Sequence, residues 1–536
     1  MRNIKNLTLF VLMSALVSSA AVADIHYVNP GESIQAAIVA ADPGDEIEVA
    51  PGTYTEAIDF DGKAVRLYSS GGPDVTTIDG TGHYHVVTCI FGEGPDTILE
   101  GFTITGGNAT GSADYNGGGM YNSNSSPTVT NCTFTGNNAT CGGGMCNDNS
   151  SPTVTDCTFT GNTANYEGGG MRNDDNSSPT VTDCTFTGNT VFFLDGGGMY
   201  NESNSSPTVT NCTFIGNTAT NNGGGGMCNL GSSPTVTDCT FSGNTAGKGG
   251  GGMYNEVGSS PTVTNCTFSS NNATFYGGGM CNGTSSPTVT NCTFNDNTAV
   301  NYGGGMYNNY ASPTVTNCTF SGNTSDAGGG MYNYNNSSPT VTNCILWGDS
   351  PNEIVDDISS TTVTYSDVQG GTGETWFGVG CIDTDPMFAD AEGRLLAFSP
   401  CLDAGNDASV PGGVTTDLDG NPRIQGVCVD MGAFESDLNC MDPGWVFMIP
   451  DAPDFGYSLD EEDLLYFYSF NFVWSFNLTT GGQSIHMPQG GIYVNWPFYY
   501  ESDTGHLWFA LPPEIGLLVY HFSTDQLEVL PRIIPW

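Results

Sequence analysis

The run Met171-Arg172-Asn173-Asp174-Asp175 sets one base beside two acids in a long stretch that is otherwise almost uncharged. General acid–base work on a glycosidic bond needs a carboxylate pair, or a base held in a cleft. Such chemistry needs several groups converging on one cleft. The histidines are His26, His83, His85, His486, His506 and His521, so none lies between Cys89 and His486. The only bases of the repetitive stretch are Arg172 and Lys248. Arg172, Asp174 and Asp175 are therefore the sole catalytic candidates, and their plainer reading is an ion pair on a solvated turn. A different chemistry is suggested by Tyr121, Tyr200, Tyr254, Tyr307 and Tyr332, which recur in one slot. Rings spaced along a sheet face can stack on sugars or pack against a partner protein, so this file is expected to be a binding face. For a metal, the acids of "TDLDGNP" (Asp417, Asp419) and "LDEED" (Asp460, Glu461, Glu462, Asp463) come closest. Calcium needs six or more oxygens in a suitable loop. No cofactor is expected, and calcium is the one cation these acids would suit.

The elements that position these residues follow from a repeat. Cysteines fall at 132, 157, 184, 212, 239, 266, 292, 318 and 344, spaced by 25 to 28 residues. Parallel combs start at Met120, Val129 and Phe134, and Leu346 fills the last Phe slot. A fixed period of this size means a solenoid or an array. Gly triplets, Thr and β-branched residues disfavour helix, which leaves short strands, three per coil. In "PTVT" Val points inward; in "CTF" Cys and Phe do; in "GGGMYN" Met does, and the next residue points out. Val129 and Cys132 are three apart, so a bend falls at Thr130-Asn131, and its second slot holds Asn or Asp in every repeat. These residues tolerate left-handed backbone. The "GNTA"-like segment after Phe is read as a loop that absorbs the length variation.

The cysteine column is then a packing choice, because free Cys behaves as a small buried hydrophobe. Disulfides between coils are the competing reading in an oxidising compartment, but stacked strands point their side chains parallel. Cys146, Cys228 and Cys281 take the outward slot after Met in non-adjacent repeats. Cys381, Cys401, Cys428 and Cys440 are expected to form one or two disulfides. No C-x-x-C occurs, which argues against a zinc ribbon.

Residues 1–23 read as a signal peptide, with Arg2 and Lys5, an apolar run from Leu7 to Val17, and the A-x-A site Ala21-Val22-Ala23. A secreted or cell-surface location is expected, with no transmembrane span, since no later apolar run is long enough. There are 56 Asp and Glu against 9 Lys and Arg, a net charge of −47. That excludes nucleic acid and anionic membrane as partners. A polysaccharide or a surface protein remains, and a monomer is expected.

The repeats resemble the right-handed parallel β-helix of pectate lyases, with an Asn ladder at the bend. Runs such as "FTGNTANYEGGGM" also resemble the F-x-x-N and G-G-A-I repeats of chlamydial polymorphic outer membrane proteins. "SIQAAIVAADPGDEIEVAPGTYTEAIDFDGKAVRLYSS" resembles the cap and first coils of such proteins, with a helix from Ser33 to Ala41 and strands at Ile47-Val49, Ala57-Phe60 and Val65-Tyr68. "IDTDPMFAD" and "SPCLDAGND" with "DLDGNPRIQGVCVDMGAFE" resemble the closing region of secreted bacterial β-helix proteins that carry varied C-terminal anchors. The aromatic runs after Asp442 resemble hairpin repeats at the C-termini of some secreted bacterial proteins. Their rings either form that module's own core or hold sugars.

The fold implied is an all-β right-handed parallel β-helix followed by an aromatic-rich β module. Its parts are a signal peptide (1–23), an N-terminal cap and first coils (24–117), a nine-repeat shaft (118–347), closing coils and C-terminal cap (348–440), and the β module (441–536). Three functions remain open. A near-uniform shaft suits a non-enzymatic, adhesin-like scaffold. A lyase or glycosidase rests on fold analogy alone. A third reading takes the outward Thr files of "TVT", such as Thr235/Thr237, as an ice-binding face, similar to the T-x-T face of insect antifreeze solenoids; Thr also simply favours strands.

Overall fold

The computed structural model describes residues 23–111, 115–396 and 399–436, and beyond them the backbone of nine strands between Val446 and Leu530. Residues 1–22, nearly all of the segment expected to be a signal peptide, and Cys440 lie outside the described residues. The chain divides into two compact units, Met1–Cys440 and Met441–Trp536, and each is described by itself.

The first unit is a right-handed parallel β-solenoid. Its valine sheet has 14 strands, running from Ile25–Val28 to Thr362–Thr364. The phenylalanine sheet has 13, from Gly52–Tyr54 to Asp367–Val368, and the methionine sheet 12, from Ile58–Asp59 to Ile354–Asp357. A fourth sheet of 8 short strands, Asn108–Ala109 to Thr298–Ala299, corrects the three-strand coil. It is built from the segment expected to be a loop. The segment can pair because its alanines, such as Ala164 and Ala219, are buried and in register from coil to coil.

Identical residues stack on identical residues. Val154 pairs with Val181, Phe159 with Phe186, and Met171 with Met199. The eight Phe rings from Phe134 to Phe320 lie 4.5 to 4.8 Å apart and within 4° of parallel. The bend residues are left-handed, for example Asn131 at φ 49° and Asp183 at φ 54°. The nine column cysteines are buried free thiols. Each thiol finds backbone acceptors, as Cys157 does at the Thr155 carbonyl (3.2 Å) and the Val129 carbonyl (3.7 Å).

Two asparagine ladders, absent from the sequence reading, run inside the coils. In one, Asn162 donates through both its N–H and its side-chain amide to Asn189 Oδ1 at 3.0 Å. In the other, Asn173 donates to Asn201 at 2.8 Å. Buried amides joined end to end satisfy one another where water is excluded.

The ends are closed differently. Helix α1 (Ile34–Ala40) covers the N-terminal end, with Ile34 and Ile38 buried. Ser33 accepts from the Ala36 N–H, and Glu56 from those of Ile34 and Gln35. At the other end of the helix, Lys63 Nζ donates to the carbonyls of Ile38, Val39 and Ala41, which the helix ladder leaves free. The strands expected next are found at Glu46–Val49, Ile58–Asp59 and Arg66–Ser69, with every limit within one residue of its expected place. At the far end Trp376 joins the buried core.

Residues 383–436 add no further coil. They turn back as a strap over the flank of the shaft, where Asn291 donates to the Thr416 carbonyl, Asn343 and Asn406 exchange hydrogen bonds, and the Ala433 N–H reaches Thr319 Oγ1. In the second unit, Val446–Met448 pairs antiparallel with Gly456–Ser458. Leu464–Ser469, Phe472–Asn477 and Gln483–His486 form a meander, and the four strands from Phe498–Glu501 to Gln526–Leu530 another. The expected hairpins are present, and the expectation about their rings lies outside the described side chains.

Candidate functional site

The Gly triplet shapes the outer face of the methionine sheet. Its first glycine is left-handed in each coil, as at Gly168 (φ 63°) and Gly196 (φ 76°). The chain reverses there, so the residue before the triplet folds over the outward residue after Met. The later glycines sit where backbones meet, and a Cβ on Gly198 would stand 2.5 Å from the Gly226 carbonyl oxygen.

This reversal overturns the expected tyrosine face. Tyr200, Tyr254, Tyr307 and Tyr332 point away from the core but are only 2, 4, 7 and 7% exposed. With Cys228 and Cys281 they make a second apolar cluster, roofed by Tyr276, Tyr302 and Ala327 from the preceding segments. Tyr302 lies 4.4 Å from Tyr332, ring to ring. Cys146 in the same file is also buried. Tyr121 alone is half-buried, stacked on His85 at 5.2 Å.

Arg172 is likewise no solvated turn. Its guanidinium meets Glu167 at 2.9 Å, Asp174 at 2.8 Å and Glu202 at 2.6 Å, with side chains only 11 to 22% exposed. Asp175 is exposed, left-handed (φ 55°) and outside this network. Glu167 and Glu202 come from neighbouring positions in the fold that spacing alone did not reveal. Burial alone would pull Arg172 down, but Cys146, Glu167 and Asp174 outweigh it and hold the cation above its usual range. Burial raises Asp148 and Glu202, reinforced by neighbouring acids. Burial also pushes Asp195 up to about 6, although it accepts from the Gly223 N–H at 2.7 Å.

Beside this network lie exposed rings. The segments before the triplets stack, with the Phe193 N–H donating to the Asn165 carbonyl. They present Tyr166 (45% exposed), Phe192 (44%), Phe193 (56%) and Leu194. Tyr166 and Phe193 are 5.6 Å apart, tilted by 36°. The sequence did carry a signal for them: "NYE" and "VFFLD" break the polar pattern of that segment.

The other candidates are placed elsewhere. Asp417 is buried and accepts from the N–H groups of Asp419, Asn421 and Glu435, so it organises a turn of the strap. Asp419 is bound by Arg394 at 2.6 and 2.7 Å. These two carboxylates thus have protein partners, the other acids considered for calcium, Asp460, Glu461, Glu462 and Asp463, lie outside the described residues, and no metal-binding group of three His, Cys, Asp or Glu occurs among the described residues. Cys381, Cys401 and Cys428 are free thiols, which departs from the expected disulfides; Cys401 is turned toward Asp367, 3.1 Å away. A groove of about 350 Å³ separates strap and shaft, lined by Asp238, Asn265, Thr267, Glu392, Arg394 and Phe434. On the valine sheet the first Thr file is open, as at Thr235 and Thr262. The strap narrows the second, leaving Thr290, Thr316 and Thr342 at 3, 5 and 8% exposure. No helix among the described residues is long and apolar enough to cross a membrane.

A family model for right-handed β-helix regions matches residues 63–219 and 214–346, more than half of the chain, and the chain belongs to that family. No curated protein sequence matches it. Among solved structures it is similar to the catalytic unit of a thermostable GH87 α-1,3-glucanase from Streptomyces thermodiastaticus strain HF3-3, at 14% identity and a TM-score of 0.30, over 66% of this chain and 65% of that one. It is also similar to the tailspike receptor-binding domain of siphovirus 9NA (9% identity, 94% and 97% covered, TM-score 0.23). The receptor-binding protein of bacteriophage Det7 gives 11%, 95% and 98%, and 0.24. At these scores the likenesses carry no argument about ligand or activity.

Proposed function

We propose that the chain is an exported or surface-held protein whose solenoid unit binds polysaccharide on the ridge beside the methionine sheet and does not cleave it. The observation that carries this reading is the exposed pair Tyr166 and Phe193 next to the Arg172 network. Sugar rings stack their C–H faces on aromatic rings while planar polar groups bind their hydroxyls. The shaft holds both parts on rigid stacked strands, which keeps the ordering cost of binding low. Hydrolysis needs a protonated and an ionised carboxyl set across a bond. Here Glu167, Asp174 and Glu202 converge on one guanidinium instead.

The test is retention of the mature chain on a panel of immobilised polysaccharides, with product analysis of the same mixtures. At least one polysaccharide should retain it. The double variant Tyr166→Ala, Phe193→Ala should lose about ten-fold or more in affinity, since a stacked aromatic contact contributes on the order of 0.5–1.5 kcal/mol for each ring. Its melting temperature should stay unchanged, because both rings face solvent. Undiminished retention of the variant would move the site elsewhere. New reducing ends or unsaturated products that vanish in Arg172→Ala would show turnover.

A further inference from the structure

We infer that the polysaccharide taken by this ridge is a polycation, a chain of amino sugars bearing free ammonium groups. The inference rests on the binding site proposed above and adds its charge class. Asp148 and Asp174 are register partners on adjacent strands, and Glu202 follows in the next coil at the end of its strand. Glu167 lies beside them, and Asp175 is exposed at the turn. The one cation here, Arg172, is already bound by three of these acids. The patch therefore keeps a surplus of negative charge next to its exposed rings.

Charge complementarity then selects among glycans. A uronic acid or sulfated chain would bring like charge to the carboxylates, and the other base of these segments, Lys248, is turned to the Tyr254 hydroxyl at 3.1 Å. A neutral chain would stack on Tyr166 and Phe193 but bring no cation to carboxylates that outnumber the one guanidinium, among them Asp148, met by the Tyr121 hydroxyl at 3.4 Å, and Glu202, which shares Arg172. An ammonium group can pair with them where partial burial limits screening by water. Carboxylates one coil apart repeat at about 4.8 Å, the rise of the stacked strands and close to the length of one pyranose unit. A net charge of −47 also draws a polycation toward the rod from a distance.

The mature chain is titrated calorimetrically at pH 6 and 50 mM NaCl with glucosamine hexamer, N-acetylglucosamine hexamer and hexalysine. Glucosamine hexamer should bind about ten-fold tighter than its acetylated counterpart, and added salt should erase the difference. Asp148→Asn, which leaves the Arg172 contacts in place, should weaken the glucosamine hexamer several-fold and leave the acetylated one unchanged. Asp96→Asn, a remote exposed acid, should change neither. Phe193→Ala should weaken both sugars. Equal affinity for the two sugars, unaffected by Asp148→Asn but lost in Phe193→Ala, would overturn the charge class and keep the site. Binding of glucosamine hexamer matched by hexalysine and indifferent to Phe193→Ala would reduce the effect to bulk charge and overturn the inference. Absence of sugar binding at this ridge in every variant would overturn the site as well.

Discussion

Each asparagine of the ladder that follows the Phe strand serves three coils. Asn217 donates through N–H and Nδ2 to Asn244 Oδ1, donates through Nδ2 to the Phe186 carbonyl, and accepts both donors of Asn189. Asn217→Ala should cost roughly 3–5 kcal/mol, because several buried groups lose partners at 1–3 kcal/mol apiece. Urea unfolding would measure it, and hydrogen exchange should show the loosening concentrated in the adjacent coils. A loss under about 1 kcal/mol would mean water satisfies the gap. The ladder escaped the sequence reading because Asn between Gly and Thr has the composition of a turn, whereas Val, Cys, Phe and Met announce their burial by type. The cysteine column was legible for that reason. Burial pushes thiols such as Cys266 well above their usual range. Native-state labelling of the nine column thiols should be negligible until the chain unfolds, and rapid labelling would contradict their packing. Arg172 was legible as an oddity, but its partners Glu167 and Glu202 stand five and thirty residues away, the first brought in by the reversal at Gly168 and the second by the stacking of coils.

At the scale of the element, the Gly triplet explains both a success and an error. The triplets marked one strand per coil, yet their left-handed first glycine, which folds the preceding residue over the tyrosine file, cannot be read from spacing. Two substitutions separate the roles of glycine here. Gly198→Ala puts a Cβ 2.5 Å from a neighbouring carbonyl oxygen and should prevent native stacking of that coil, seen as lost solubility or a large drop in melting temperature. Gly188→Ala meets nothing within 4 Å at φ 60° and should cost only about 1–2 kcal/mol, the price of left-handed backbone. Equal effects would mean that close approach of the coils is not what the triplet serves. The short alanine sheet was missed because two-residue strands such as Thr218–Ala219 are shorter than any pattern can signal. The strap was missed because its contacts, Asn343 with Asn406 among them, span more than sixty residues.

For the molecule as a whole, buried acids set the pH response. Burial raises Asp195, Asp367 and Asp430 from 3.8 to about 6. The folded chain therefore holds protons that the unfolded chain has released, and stability falls as pH rises from about 4 to 6. Relief of the −47 net charge acts in the same direction on acidification. Calorimetry should find a higher melting temperature at pH 5 than at pH 7.5, and a flat or opposite trend would contradict these burials. The architecture was legible because a solenoid repeats its instruction coil after coil, and the ridge proposed to bind was not, because its rings sit where the repeat is broken and only the stacking of coils joins them. The most direct test of the account is hydrogen–deuterium exchange of the mature chain with and without a retained polysaccharide. Protection should concentrate in residues 163–167 and 190–196, around Tyr166 and Phe193. Protection confined to the Thr files of the valine sheet, or to the groove under the strap, would contradict it.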